Sequence, residues 1–375
     1  MPNSPKGSDS PFGCYTTKKK QTKMTRLADI LKLVAVVATM ALGSCVTNVG
    51  PELPQDEPIA YQAVVGLTSE GRAILSGTSY PTTLPFAAFA AQLAEGQTWA
   101  ANKANATTLI NGDQVAYNTY YPGAWTTQQA YYWPLRGSLS FFAYSPWADA
   151  QGNKINNIAF TPTTGELRVT GWDVTATKYK DVDLMIADPK YDQTEAISAS
   201  GVPTVFRHKL AQLSFRAGLE GEYKEGGTTY EIWLRKVTLK NVYTSGNYSS
   251  TENSGRWTNL GGKENVVIYQ DATGVKLSHL SATTLGSNML MMPQGHEDSA
   301  SSATLEIVYY DTKSGNVESV DIILRHLFPD SNWIINSHYT YSIMIDRGDP
   351  DYIEFNPPTV AGDWVDGGTY ELTIQ

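Results

Sequence analysis

The side chains best suited to catalysis or metal binding are sparse, with five histidines and two cysteines in 375 residues. His208, His279, His296, His326 and His338 show no HExxH or comparable ligand spacing, and neither a G-x-S-x-G elbow nor a P-loop is present. Both cysteines, Cys14 and Cys45, lie near the start. The remainder therefore has no disulfide framework, thiolate metal site or cysteine nucleophile. Asp346, Asp349 and Asp351 cluster in IDRGDPDY, but the spacing lacks the glycine and distal glutamate of a calcium loop, so a solvated acidic turn is the better reading. Arg347-Gly348-Asp349 spells the integrin-binding tripeptide, a match short enough to arise by chance, and Pro350 simply favours a turn. Asp298-Ser299-Ala300 has the form of a short bacterial glycosylation acceptor. With no catalytic constellation, metal site or cofactor motif to place, the expectation is a protein that is not an enzyme.

Composition narrows the partners. The hydrophobic fraction of 41% is that of a folding chain, while only 17% of residues are charged, which leaves a largely uncharged polar surface. The net charge is −9 overall and −14 once the first 45 residues, with seven basic and two acidic side chains, are set aside. Such a surface repels phosphate backbones, which excludes nucleic-acid binding driven by counterion release and argues against a basic membrane-surface patch.

Residues 1–44 read as an export signal. Lys18, Lys19, Lys20, Lys23 and Arg26 precede an apolar run from Leu33 to Leu42. At ~1.5 Å per residue that run covers about half of a ~30 Å hydrocarbon layer, which suits a signal-peptide core. It ends in Leu42-Gly43-Ser44-Cys45, which resembles the lipobox of bacterial lipoproteins. The resemblance implies cleavage by lipoprotein signal peptidase and acylation of Cys45 with diacylglyceryl and palmitate-type chains. Either Met1 or Met24 could be the start. Residues 45–57 read as a tether behind the lipid.

Beyond residue 57 helical periodicity is nearly absent, and short apolar or alternating runs are bounded by Gly, Pro, Asn, Asp and Ser. An all-β body is expected, with strands at Ile59 to Thr68, Ser138 to Tyr144, Val205 to Ala217, Tyr230 to Tyr243, Thr304 to Tyr310, Val317 to Leu324 and Tyr339 to Ile345. Phe86 to Ala94 reads as a helix or as a buried strand. The polar stretch Asp188 to Val202 carries no strand period, which places a boundary between two β-sandwich domains, 58–195 and 196–375. The large aromatics Trp133, Phe141, Tyr144 and Trp147 are expected in the core. So is His208, hydrogen-bonded to backbone within an apolar strand.

Several of these segments together resemble the fimbrillin family of Bacteroides-type bacteria. Tyr131-Tyr132-Trp133-Pro134 is followed by Leu139-Ser140-Phe141-Phe142-Ala143-Tyr144-Ser145-Pro146, then by Asp183 to Ala187 and by Val205 to Leu213. Val237 to Tyr243 with Gly246 and Trp257, Leu290 to Gln294, Tyr339 to Ile343, and Val360 with Trp364 complete a common order over nearly the whole exported chain. The resemblance implies two tandem Greek-key, transthyretin-like sandwiches and a lipid-anchored pilin precursor of the outer membrane. It implies further that an N-terminal strand is cut away by an arginine- or lysine-directed protease, and that subunits join head to tail by strand donation into a cell-surface fimbrium. Removing a strand leaves unpaired backbone and exposed apolar side chains, and a neighbour's strand satisfies both.

On that reading Ile59 to Thr68 is the released strand, cleavage falls between Arg72 and Ala73, and the C-terminal strands around Trp364 and at Thr369 to Gln375 (TYELTIQ) are the donors, the latter with Tyr370, Leu372 and Ile374 on one face. If Arg72 is a solvated turn residue that is never cut, an anchor or tip subunit fits better than a stalk subunit. The competing reading is a surface lipoprotein that binds glycans without polymerising, with Tyr117, Tyr120, Tyr121 and Trp125 stacking on sugar rings. The receptor, on host or bacterium, is not legible.

Overall fold

Runs of β-branched and aromatic residues, broken every few positions by glycine or by a polar turn, become strands. The computed structural model describes residues 58–66, 78–119, 124–251, 255–296, 302–327, 332–346, 353–356 and 365–366. The leader with Cys45, Arg72 with Ala73, the Arg347-Gly348-Asp349 tripeptide, Asp298 to Ala300 and the 369–375 segment lie outside the described residues. In the first half of the chain the strands are β1 (Ala60–Val65), β2 (Thr78–Ser79), β3 (Phe86–Leu93), β4 (Thr107–Asn118), β5 (Ala124–Thr127), β6 (Ser138–Ser145), β7 (Ile158–Thr161), β8 (Glu166–Asp173), β9 (Met185–Ala187) and β10 (Lys190–Gln193). They continue with β11 (Val202–His208), β12 (Ala211–Leu219), β13 (Lys224–Glu225), β14 (Thr228–Thr229), β15 (Ile232–Ser249), β16 (Trp257–Lys276) and β17 (Thr283–Met291). The last are β18 (Gln294–Gly295), β19 (Thr304–Asp311), β20 (Asn316–Ile323), β21 (Asn332–Trp333), β22 (Ser337–Ile345), β23 (Ile353–Asn356) and β24 (Val365–Asp366). Among the described residues the helical elements are short, at Trp99–Asn102, Lys103–Asn105 and Leu324–Leu327. The all-β expectation holds, and Phe86 to Leu93 is a strand.

A Greek-key sandwich was expected for residues 58–195, but their strands join β11 in a sheet that closes on itself. The order β6-β3-β4-β5-β1-β11-β9 returns to β6 through the pairs Tyr144↔Ile186 and Ser145↔Met185, giving a seven-stranded barrel, with β10 added beside β6 and β2 beside β1. Its interior mixes large and small side chains, as a narrow barrel requires. Tyr61, Phe86, Trp125, Phe141 and Phe206 fill the centre, while Ala88, Ala90 and Ala143 leave them room. β3 and β6 are buried on both faces. Their opposite face, with Ala87, Phe89, Phe142 and Tyr144, belongs to a second and larger core.

That larger core lies between two further sheets. In one, β12 is flanked by β17 and, in parallel, by β22, and the far side of β22 carries β23 and β24. In the other, β15 pairs with β16 along one side, and its other side is shared between β19 and β8. β7 and β8 from the first half of the chain thereby complete a sheet of the second. Strict alternation in β19 sends Leu305, Ile307 and Tyr309 inward, where β22 contributes Tyr339, Tyr341 and Ile343.

Three expectations are corrected here. Val205 to Ala217 is not one strand: the chain leaves the barrel after His208 and enters the neighbouring sheet at Ala211. At the crossover the Lys209 N–H donates to the Leu184 carbonyl at 2.8 Å, and the Trp257 indole N–H donates to the Lys209 carbonyl at 2.6 Å. Both partners are remote in sequence, so no local period marks the break. The polar stretch from Asp188 holds a strand after all, β10, with Lys190 opposite Phe141. Trp133 and Trp147 are half-buried at the margins of the cores, whereas Phe141 and Tyr144 are buried.

Gly137, just before β6, has φ +88°, and a Cβ there would stand 2.1 Å from the Leu93 carbonyl oxygen. Gly137→Ala is expected to lower stability by more than ~2 kcal/mol through left-handed strain and a backbone clash. A urea melt that leaves the midpoint unchanged would contradict this.

Candidate assembly site

The first described strand is the natural place to look for strand exchange. β1 runs parallel to β11, with Tyr61 beside Val202 and Val65 beside Phe206. Its other edge is split, with Ala60 and Tyr61 facing β5 and Val64 and Val65 facing β2. The Ile59 N–H donates to the Tyr131 carbonyl at 2.7 Å and the Gly66 N–H to the Phe206 carbonyl at 3.2 Å, which closes the two ends. The Gln62 side-chain amide reaches the Ser200 carbonyl at 2.6 Å. Ile59, Tyr61 and Val65 point into the barrel and are buried. Each such side chain contributes ~1.5–3 kcal/mol by leaving water.

Tyr61 is the centrepiece. Its ring meets Phe86 and Phe141 edge-on at 5.7 and 5.9 Å. Its hydroxyl, however, is buried without a hydrogen-bond partner. Burial pushes the phenol well above its ordinary range, and Asp113 and Tyr131 push the same way. The Tyr131 hydroxyl is itself committed, donating to Asp113, and that bond holds its pKa up at about 12. Lifting β1 out would uncover this aromatic socket together with the backbone edges of β11, β5 and β2. Residues 67–77, which connect β1 to β2 and contain Arg72 and Ala73, lie outside the described residues.

At the barrel exit Arg207 grips Asp188 through two nitrogens, at 2.9 and 2.8 Å. His208 is buried as expected, but its Nδ1 pairs with the Asp183 carboxylate at 2.6 Å, so a carboxylate takes the place of the anticipated backbone partner. Burial lowers the Lys209 ammonium to about 8, against the pull of Asp188. Sequence reading missed these pairings because Asp183 and Asp188 flank β9, which meets β11 only through the fold. Among the described residues no group of three or more His, Cys, Asp or Glu is placed to hold a metal. None of their helices is long and apolar enough to cross a membrane.

The aromatic sugar platform is not built as expected. Trp125 is buried in the barrel core against Tyr80 at 5.2 Å and Tyr117 at 5.3 Å, and Tyr120 and Tyr121 lie outside the described residues.

A fimbrillin-like family model matches residues 93–364, and the chain belongs to that family. No curated protein matches the sequence. Among solved structures, a fimbrial protein from Bacteroides vulgatus is 16% identical with a TM-score of 0.54, over 81% of this chain and 99% of its own. A cell adhesion candidate from Bacteroides uniformis is 17% identical with a TM-score of 0.48, over 82% and 99% of the two chains. Another from Bacteroides ovatus is 16% identical with a TM-score of 0.46, over 83% and 98%. At 16% identity the likeness to the Bacteroides vulgatus protein is one of fold.

Proposed function

We propose that this chain is the precursor of a fimbrial subunit that polymerises on the cell surface by exchanging β1. The supporting observation is the position of β1: a short strand plugs the barrel with Ile59, Tyr61 and Val65, and the connection that follows it contains Arg72. In this reading residues 1–44 are removed, Cys45 is acylated and the outer membrane holds the precursor. An arginine-directed protease then cuts between Arg72 and Ala73. β1 departs, and the 369–375 segment of the next subunit occupies the seam, supplying Tyr370, Leu372 and Ile374 to the vacated socket and main-chain bonds to β11. Because the donor and the acceptor are different surfaces of one subunit, the contact propagates as a fibre and does not close.

Treatment of the purified chain with an arginine-specific protease is expected to cut at Arg72 and to yield a ladder of oligomers that resists dissociation in mild denaturant. Arg72→Gln should stay monomeric under the same treatment. Cleavage at Arg72 without oligomers would sink strand exchange, and oligomers formed equally by the Arg72→Gln chain would sink the role of the cut.

A further inference from the structure

A cleft on the barrel flank collects a set of polar side chains, of which Asp113 also accepts the Tyr131 hydroxyl. It is lined by Asp113, Gln114, Gln128, Gln129, Trp147 and Lys154 and has a volume of ~480 Å³, within the range of small-molecule sites. Three elements build it. In β4 the register slips between Ala88↔Asp113 and Phe89↔Asn111, so Gly112 is an extra residue, with φ +71°. This bulge turns the strand at Asp113 and Gln114, a common device for re-aiming side chains at functional sites. The end of β5 brings Gln128 alongside, its N–H donating to the Gln114 carbonyl at 3.4 Å. The hairpin after β6 supplies Trp147 and Lys154, fixed by the bridge Ala148↔Lys154 and by the Trp147 N–H on the Pro85 carbonyl at 2.8 Å.

The chemistry of the lining is specific. Three side-chain amides offer donors and acceptors side by side, one carboxylate accepts, one ammonium donates, and an indole supplies an apolar wall. The Asp113 carboxylate and the Lys154 ammonium cancel, so the cleft has no net charge for an anion or cation to read. Trp147 packs against the large core, and its indole N–H is buried without an acceptor, a desolvation cost the fold leaves uncompensated. Vicinal hydroxyls on an apolar ring match this set: each amide or carboxylate can bridge two hydroxyls while a ring C–H face meets the indole. We propose that the cleft formed by the β4 bulge, the end of β5 and the Trp147–Lys154 hairpin binds a neutral saccharide. Its lining shares no residue with β1 or with the Tyr117–Trp125 platform, and it is already formed in the uncut chain.

The test uses the full-length chain carrying Arg72→Gln, so that neither cleavage nor assembly enters. Saturation-transfer NMR and calorimetry are run with maltohexaose, chitohexaose, a neutral galactan oligomer and the sialylated form of the last. At least one neutral probe is expected to bind, its sialylated counterpart no more tightly, and the Gln128→Ala/Gln129→Ala double variant is expected to lose affinity tenfold or more. Both glutamines are exposed, so folding should survive. Trp147→Phe should weaken binding as well, while the exposed Gln270→Ala on β16 should not. No binding of any neutral probe, or binding unchanged in the double variant, overturns the proposal. The protease ladder of the unsubstituted chain reads the assembly reading separately.

Discussion

Tyr61→Ala is expected to cost about 3–5 kcal/mol of folding stability, the loss typical of emptying an aromatic from a packed core. The ring sits among Phe86 and Phe141 at the centre of the barrel, on a strand paired on both edges, so neighbours cannot close over the gap without breaking register. Tyr61→Phe should do the opposite. It keeps the ring and deletes a buried hydroxyl that has no partner, and relieving that desolvation should raise stability by about 1 kcal/mol. Urea denaturation of both variants at neutral pH checks the pair. If Phe proved as damaging as Ala, the hydroxyl would have to be satisfied in solution. If Ala were harmless, β1 would not be the plug on which strand exchange depends.

The second large effect is on acid stability. His296 is buried edge-on against Trp333 at 4.6 Å, neither ring nitrogen has a hydrogen-bond partner, and burial depresses its pKa from 6.5 to about 4. Lys263 lines the same small cavity and Arg325 donates to the His296 carbonyl at 3.3 Å, two cations that disfavour the imidazolium. The folded pKa lies below the unfolded value. The unfolded chain therefore takes up the proton first, and stability falls as pH drops from 6.5, reaching a loss of about 3 kcal/mol near pH 4. Glu306 is held down to about 2 by its hydrogen bonds to Lys240 and Lys236, and its contribution disappears in a lower window, between pH 4.5 and 2. A His296→Leu chain should show a flattened profile between pH 6.5 and 4.5 while keeping the steeper fall below. An unaltered profile in that upper window would mean the imidazole is already charged or exposed.

Individual strands were legible because their side chains alternate or are apolar throughout. β6 and β19 fall within a residue of the expected segments, and β22 begins only slightly earlier. Closure of the barrel was not legible. It depends on β6 meeting β9 and on β1 meeting β11, and nothing local in YSPW or in IAYQAVV names a partner far away. The crossover at Lys209 was hidden for the same reason, since apolar residues continue through it and only Leu184 and Trp257 decide where the chain turns. The cleft at Gly112 depends on a one-residue slip of register, which composition does not record. Trp125 misled because an aromatic near tyrosines looks the same in a sequence whether it faces solvent or the core.

The parallel partnership of the first described strand carries a temporal consequence. Gln62 and Ser200 touch across 138 positions of chain, so the earliest stave made must wait for one of the later ones before it can be seated. Loop-closure cost makes such a joint slow. Every newly synthesised molecule therefore passes through an interval in which this stave is still unseated, and a vacancy at that seam is part of how the protein comes into being.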